Sequence, residues 1–229
     1  MLSIKKDMIR KLGYNIVELP GSDILYPEIS SHPDIFCCKI NEKVIIEEKM
    51  YERINEKIYD KSNIIISKQK LEKKYPHDVI YNICQIGKNV IHNFKYTNKK
   101  TLSLIAKYNL NKINIKQGYS NCSIAVIDEN SVIVSNEKIA NILSENKIDV
   151  LNINWNLDIK LLNSKGTYSN MTGFIGGAIS RLDDYVIVFG DLEKIDKNNI
   201  IRSYITKKGL EIIDFKGLDV IDYGGIIEI

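Results

Sequence analysis

Two short patterns alternate along this 229-residue chain, and their repetition limits the fold more than any single residue does. The first is an amphipathic helix, a turn and a β-branched strand. It reads "MIRKLGYNIVEL" (8–19), "INEKIYDKSNIIIS" (54–67), "LIAKYNLNKINIKQ" (104–117), "IANILSENKIDVLNI" (139–153) and "SYITKKGLEIIDF" (203–215). Gly or Asn stands near each junction, as a helix C-terminus requires. The second pattern is a hairpin: "HPDIFCCKINEKVIIEE" (32–48), "HDVIYNICQIGKNVIHN" (77–93), "NCSIAVIDENSVIVSN" (121–136) and "GGAISRLDDYVIVFGD" (176–191). The pairs Val44-Ile45, Val90-Ile91, Val132-Ile133 and Val186-Ile187 mark its return strand, 46, 42 and 54 residues apart. A fifth copy starts at "DYGGIIEI" (222–229), of which the sequence holds the first strand.

Parallel strands joined through helices need cover on the helix side. Five such modules can close into a ring. The expected fold is therefore α/β: a five-fold pseudo-symmetric propeller of repeated ββαβ modules, helices outside and strand ends at the central axis. No linker or low-complexity segment interrupts the pattern, so residues 1–229 read as a single domain with modules at about 1–50, 51–95, 96–137, 138–192 and 193–229.

Composition restricts the function classes. Hydrophobic residues make up 44% and charged residues 27%, the profile of an ordinary globular protein. A net charge of +3 with interspersed signs gives no basic face for nucleic acid. No apolar run approaches the roughly 18 residues of a membrane span, so no membrane partner is expected. The charged N-terminus lacks the apolar stretch of a signal peptide. Cys37, Cys38, Cys84 and Cys122 form no CxxC pair and no zinc spacing, so the simplest reading is a reduced, cytoplasmic protein. No cofactor and no metal is expected. A homo-oligomer stays open.

The repeat resembles the pentein fold of guanidino-group-modifying enzymes, which include arginine and agmatine deiminases, dimethylarginine dimethylaminohydrolases and amidinotransferases. "KQGYSNCSIAVIDE", "GFIGGA" and "VFGDL" look more narrowly like clostridial members of uncharacterised function. The resemblance implies thiol-based hydrolase or transferase chemistry on a guanidino or amidino small molecule. In that chemistry a thiolate attacks the guanidinium carbon, a histidine moves protons and carboxylates clamp the cation. The pattern departs from the superfamily's enzymes in order. Their nucleophilic cysteine lies in the last module, where this chain reads "GGIIEI" with Glu228, and here all three histidines lie at or before position 92. The alternative is a non-catalytic pentein that binds a small ligand, a protein or a ribosome, as the fold also does in initiation factor six.

Counting back from the return strands brings the hairpin starts together at the axis. Cys122 falls in register with Asp34, and His32 with Ser120 and Asp78. The candidate catalytic residues are Cys122, as nucleophile, with His32 or His77 as acid and base. The candidate substrate clamp is Asp34, Asp78, Asn82, Asn121 and Glu228. Cys122 reads equally as a small hydrophobe in the apolar strand "CSIAVI". His32 and Asp34, two apart on a strand, would share a face, whereas adjacent His77 and Asp78 would face opposite ways. His32, Asp34, His77 and Asp78 also suggest a two-histidine carboxylate set, although nothing in their spacing demands a metal. His92 reads as structural, Arg181 as solvent-facing, and the glycines of "GFIGGAI" as room for backbones crowding the axis.

Overall fold

A computed structural model describes residues 2–162, 168 and 170–229. Among the described residues, four three-stranded sheets succeed one another along the chain, and a two-stranded sheet pairs a strand before the last of them with a strand after it. The first holds β1 (Cys37–Ile40), β2 (Lys43–Glu47) and β3 (Ile64–Ser67), with α3 (Glu48–Ile54) between the last two. The second holds β4 (Cys84–Ile86), β5 (Asn89–His92) and β6 (Asn111–Asn114), joined through α4 (Lys99–Lys107). The third holds β7 (Ile124–Val126), β8 (Ser131–Val134) and β9 (Asp149–Asn152), joined through α6 (Glu137–Glu145). The fourth holds β11 (Ile179–Leu182), β12 (Tyr185–Val188) and β13 (Glu211–Ile213), joined through α8 (Ile200–Thr206). In each, an antiparallel hairpin is followed by a parallel third strand, with Val44 opposite Ile64, Val90 opposite Lys112, Val132 opposite Val150 and Val186 opposite Ile212. The fifth sheet pairs β10 (Ile159–Leu161) with β14 (Val220–Asp222) in parallel. The architecture is the five-fold α/β propeller of ββαβ-like units that the repeats imply.

The return strands are the middle strands of their sheets, covered on both faces. All eight residues of the marker pairs are at most 1% exposed, which explains why they read as unbroken Ile/Val pairs rather than as an alternation. The helices owe their limits to their caps. The Asn98 and Asn136 side chains accept from backbone N–H groups in the first turns of α4 and α6. Asn109, Lys147 and Gly209 take positive φ just after α4, α6 and α8. Each helix lays a narrow apolar stripe on its sheet: Leu104 and Ile105, then Ile139, Ala140 and Leu143, then Ile201 and Ile205. Burial of each Leu or Ile contributes about 1.5–3 kcal/mol.

Three local expectations differ from the structure. The helix expected within 54–67 lies earlier, at 48–54, because Glu47 caps it through the Met50 N–H and Met50 and Ile54 supply its buried face. The "IIEEKMYERINEK" stretch is therefore a packed helix and not only a solvated one. Residues 14–20 and 223–229 run without a strand ladder. In the second case Gly224 and Gly225 take φ of 74° and 77° and turn the chain back, so that Tyr223 and Gly225 N–H both bond to Gly177 O.

The apolar core is divided among the sheet interfaces. One cluster joins the first two sheets through Ile45, Tyr81 and Ile105, and another joins the second and third through Ile91, Ile113 and Val132. A third gathers Ile133, Val186 and Ile201. A fourth packs Ile9 of α1 (Leu2–Lys11) against Ile187, Phe189 and Phe215. Buried Lys5 on the same helix donates to Phe189 O at 2.6 Å, and Tyr14 bonds Asp183. The two ends of the chain thus meet on the fourth and fifth sheets. Among the described residues, no helix is long and apolar enough to cross a membrane.

Candidate functional site at the centre of the ring

Three of the four complete hairpins are entered through a single turn of helix whose backbone points at the axis. These are α2 (Pro33–Phe36), α5 (Ser120–Ser123) and α7 (Ile175–Ala178). Pro33 at the first position presets φ for α2. Cys122 and Asp34 consequently sit on helical turns and not on strands, which corrects the reading of "CSIAVI" as strand from its first residue and the shared-face argument for His32 and Asp34. His32 is the N-cap of α2, and it reaches the axis from there. The register also shifts by one. The turn between β7 and β8 is longer than that between β1 and β2, so relative to the first strand residue Asp34 is equivalent to Asn121, and Cys122 to Asn82.

All five sheets contribute to the centre. Asp34 Oδ2 accepts from the Cys122 thiol at 2.8 Å and from Asn121 Nδ2 at 3.2 Å. Asn82 Oδ1 accepts from the N–H groups of Asn121 at 2.8 Å and Cys122 at 3.3 Å, while its Nδ2 donates to Cys122 Sγ at 3.2 Å. Asn82 therefore caps the one-turn helix that carries the thiol, from a neighbouring module. Asp222, at the end of β14, accepts from Gly224 N at 2.9 Å and Phe174 N at 2.8 Å, and its Oδ1 lies 3.7 Å from His32 Nδ1. The fourth module supplies absence of side chain. A Cβ on Gly176 would lie 2.2 Å from Asn121 O and 2.7 Å from Cys122 O, and one on Gly177 would strike Asp222 Oδ1. The axial crowding read from "GFIGGAI" is met here.

His32, Asp34 and Cys122 are 1%, 1% and 2% exposed, and one ligand atom from each lies within 4.8 Å of the others. Burial raises the Asp34 carboxyl to about 6, with His32 and the Cys122 hydrogen bond opposing. Burial first, then the Asp34 and Asp222 charges, push the Cys122 thiol well above its usual range. Both His32 nitrogens and Asp34 Oδ1 are buried without a hydrogen-bond partner. Each such atom costs about 1–3 kcal/mol unless something else meets it.

A depression of about 780 Å³ opens toward this centre, with Asp34 and Asn121 among its lining and Lys39, Gln85, Arg181 and Glu228 around it. An adjoining space of about 370 Å³ shares Asn121, Arg181 and Glu228 and reaches Gly176 and Ser180.

The remaining candidates fall elsewhere. His77 is exposed and stands apart from the central set. Its neighbour Asp78 is buried, but it accepts from Tyr119 OH rather than joining Cys122, and burial raises its carboxyl. Glu228 lies at the rim, half-exposed and paired with Lys39 at 2.8 Å. His92, buried, faces the carbonyls of Val79 and Gly118 at 3.1 Å through Nε2 and Thr97 Oγ1 at 2.7 Å through Nδ1; burial lowers it to about 4, so it fastens backbone as a neutral ring. Arg181, read as solvent-facing, lines both spaces and donates through Nε to Asp183 O. Asp222 was missed. The signal was the Asp opening "DYGG", at the hairpin start equivalent to "SSHPD".

Comparison with known proteins agrees with the architecture. The family of unknown function DUF6873 matches residues 3–227, and the chain belongs to it. No curated protein matches. Among solved structures, a cysteine-to-serine mutant of dimethylarginine dimethylaminohydrolase from Pseudomonas aeruginosa, complexed with citrulline, superposes with a TM-score of 0.55 at 13% identity, covering 94% of this chain and 80% of that one. A second structure of dimethylarginine dimethylaminohydrolase, an adduct with S-methyl-L-thiocitrulline, gives the same figures. At that identity the likeness is one of fold.

Proposed function

We propose that the axial chamber binds the amidine or guanidine end of a small molecule and that Cys122 attacks its central carbon. The observation that carries this reading is the set of three partnerless buried atoms, both His32 nitrogens and Asp34 Oδ1, gathered around one thiol. A planar cation with several N–H donors fits them. Asp34, which lines the 780 Å³ depression, offers Oδ1 to the N–H groups, Asp222 adds a second negative charge beside His32, and Cys122 Sγ lies 2.8 Å from Asp34 Oδ2. The cation also changes the energetics of the thiol: a positive charge within a few ångströms favours the thiolate that Asp34 and burial oppose.

With a guanidine, Cys122 Sγ forms a bond to the guanidinium carbon and the thiol proton passes to Asp34 Oδ2, its hydrogen-bond partner, and from there to His32. The C–N bond to the leaving amine breaks as His32 returns that proton to the nitrogen. Water then adds to the S-amidino carbon, the C–S bond breaks, and the thiol and a urea-type product are released. Asn82 holds Sγ and the α5 turn in place. Asp34 and Asn121 form the clamp, and Asp78, His77 and Glu228 have no part in it.

A second reading, ligand binding without chemistry, draws on the protonated, 2% exposed thiol. The discriminating experiment compares alkylation of Cys122 by cationic 2-chloroacetamidine and neutral 2-chloroacetamide, mapped by mass spectrometry in metal-free protein. The catalytic reading expects selective amidine labelling that is lost in His32→Ala and unchanged in His77→Ala. Equal or absent labelling by the two reagents leaves the binding reading in its place.

A further inference from the structure

We propose that the same chamber is also a metal site, in which His32, Asp34 and Cys122 hold one divalent cation of the zinc type. The two-histidine set suggested by the sequence does not assemble, because His77 is exposed; the trio that does assemble crosses the first and third modules. Its ligand atoms lie within 4.8 Å of one another. Tetrahedral coordination by nitrogen, oxygen and sulfur places donors roughly 3.3–3.8 Å apart, so small side-chain rotations close the set. The partnerless His32 nitrogens and Asp34 Oδ1 are the independent sign of a ligand, since all belong to side chains 1% exposed.

The donor types choose the ion. One thiolate, one imidazole and one carboxylate suit zinc or cobalt(II), not the all-oxygen shells of magnesium and calcium. Thiolate and carboxylate ligands carry two negative charges that a dication balances. Asp222, 3.7 Å from His32 Nδ1 and itself fixed by Gly224 and Phe174 N–H, stands where a carboxylate orients a metal-bound imidazole. Asn82 Nδ2, 3.2 Å from Cys122 Sγ, is a hydrogen-bond donor to the thiolate. Three protein ligands leave a fourth position for water. The cation and an amidinium ligand would compete for the same atoms, so metal occupancy would silence the thiol.

Reduced, chelator-stripped protein titrated with cobalt(II) provides the test. The expected spectrum shows a thiolate-to-cobalt charge-transfer band in the near ultraviolet that saturates at one equivalent and is displaced by zinc. Cys122→Ser should abolish the band, His77→Ala should keep it, and Asp222→Asn should weaken cobalt binding by about 10–100-fold. If Cys122→Ser fails to fold, Cys37→Ser/Cys38→Ser/Cys84→Ser protein, in which Cys122 is the remaining thiol, should keep the band, and its absence there overturns the proposal. No charge-transfer band at saturating cobalt, or a band that survives in folded Cys122→Ser, overturns the proposal. Neither result bears on the amidine labelling, which is read without metal.

Discussion

Asp34 is the residue on which the account depends most. Its carboxyl is buried beside a thiol and a second acid, and burial raises it to about 6, above the usual 3.8. A carboxyl raised in the fold keeps its proton there while the unfolded chain has lost it. Its contribution to stability is therefore full below about pH 4 and lost as pH rises through about 6, up to about 3 kcal/mol for a shift of this size. Asp34→Asn should accordingly raise the unfolding free energy at pH 7.5 and change it little at pH 4, as chemical denaturation at the two pH values would show. The same variant should lose amidine labelling, the exchange of stability for function expected of a site residue. Cys122, by contrast, looked like part of a strand because Ile124, Ala125 and Val126 follow it. Only the one-turn helix 120–123, held by Asn82 from a different module, turns its thiol to the axis. No local pattern announces a cap donated across a ring.

At the scale of elements, the repeated hairpins and their Ile/Val return strands were legible because a middle strand covered on both faces must be apolar throughout. The axial turns were not, because three or four residues of helix leave no periodicity to read. Their glycines did leave a sign. Gly176→Ala places a Cβ among the carbonyls of Asn121, Cys122 and Ile124, and backbone cannot yield as a side chain would. The cost should reach at least about 3 kcal/mol, the upper end of overpacking penalties. Gly209→Ala, with nothing within 4 Å but φ of 77°, should cost only about 1 kcal/mol from its left-handed conformation. Urea titration of the two variants would separate these effects. Reversal of their order would show that the axis tolerates bulk and is less tightly closed than described.

Across the whole molecule, closure of the ring depends on the two ends meeting. Lys5 on α1 is buried against Phe215 and Tyr223, bonds Phe189 O, and is lowered to about 8 by burial. A lysine depressed in the fold contributes stability that is complete above 10.5 and lost as pH falls through about 8. Stability should thus rise between pH 8 and 10 by a component absent from Lys5→Met, measurable as the difference between their denaturation curves. The sequence reads as a helix–strand unit at 8–19 and the first strand of a hairpin at 222–229. It did not show that they pack together, since that depends on contacts such as Lys5 to Phe189 that span 184 residues. The polar centre follows from the same closure: five modules bury their apolar surface against neighbours and leave the axis to Asp34, Asn82, Asn121, Cys122 and Asp222.

Thermal unfolding with acetamidinium against isosteric, neutral acetamide, at equal ionic strength in wild type and Asp34→Asn, tests the central claim most directly. The axial site predicts a saturable rise in Tm with acetamidinium alone, equivalent to about 2.7 kcal/mol at a hundredfold excess over Kd, and no rise in Asp34→Asn. Equal shifts with the two compounds, or a shift that persists in Asp34→Asn, would contradict it.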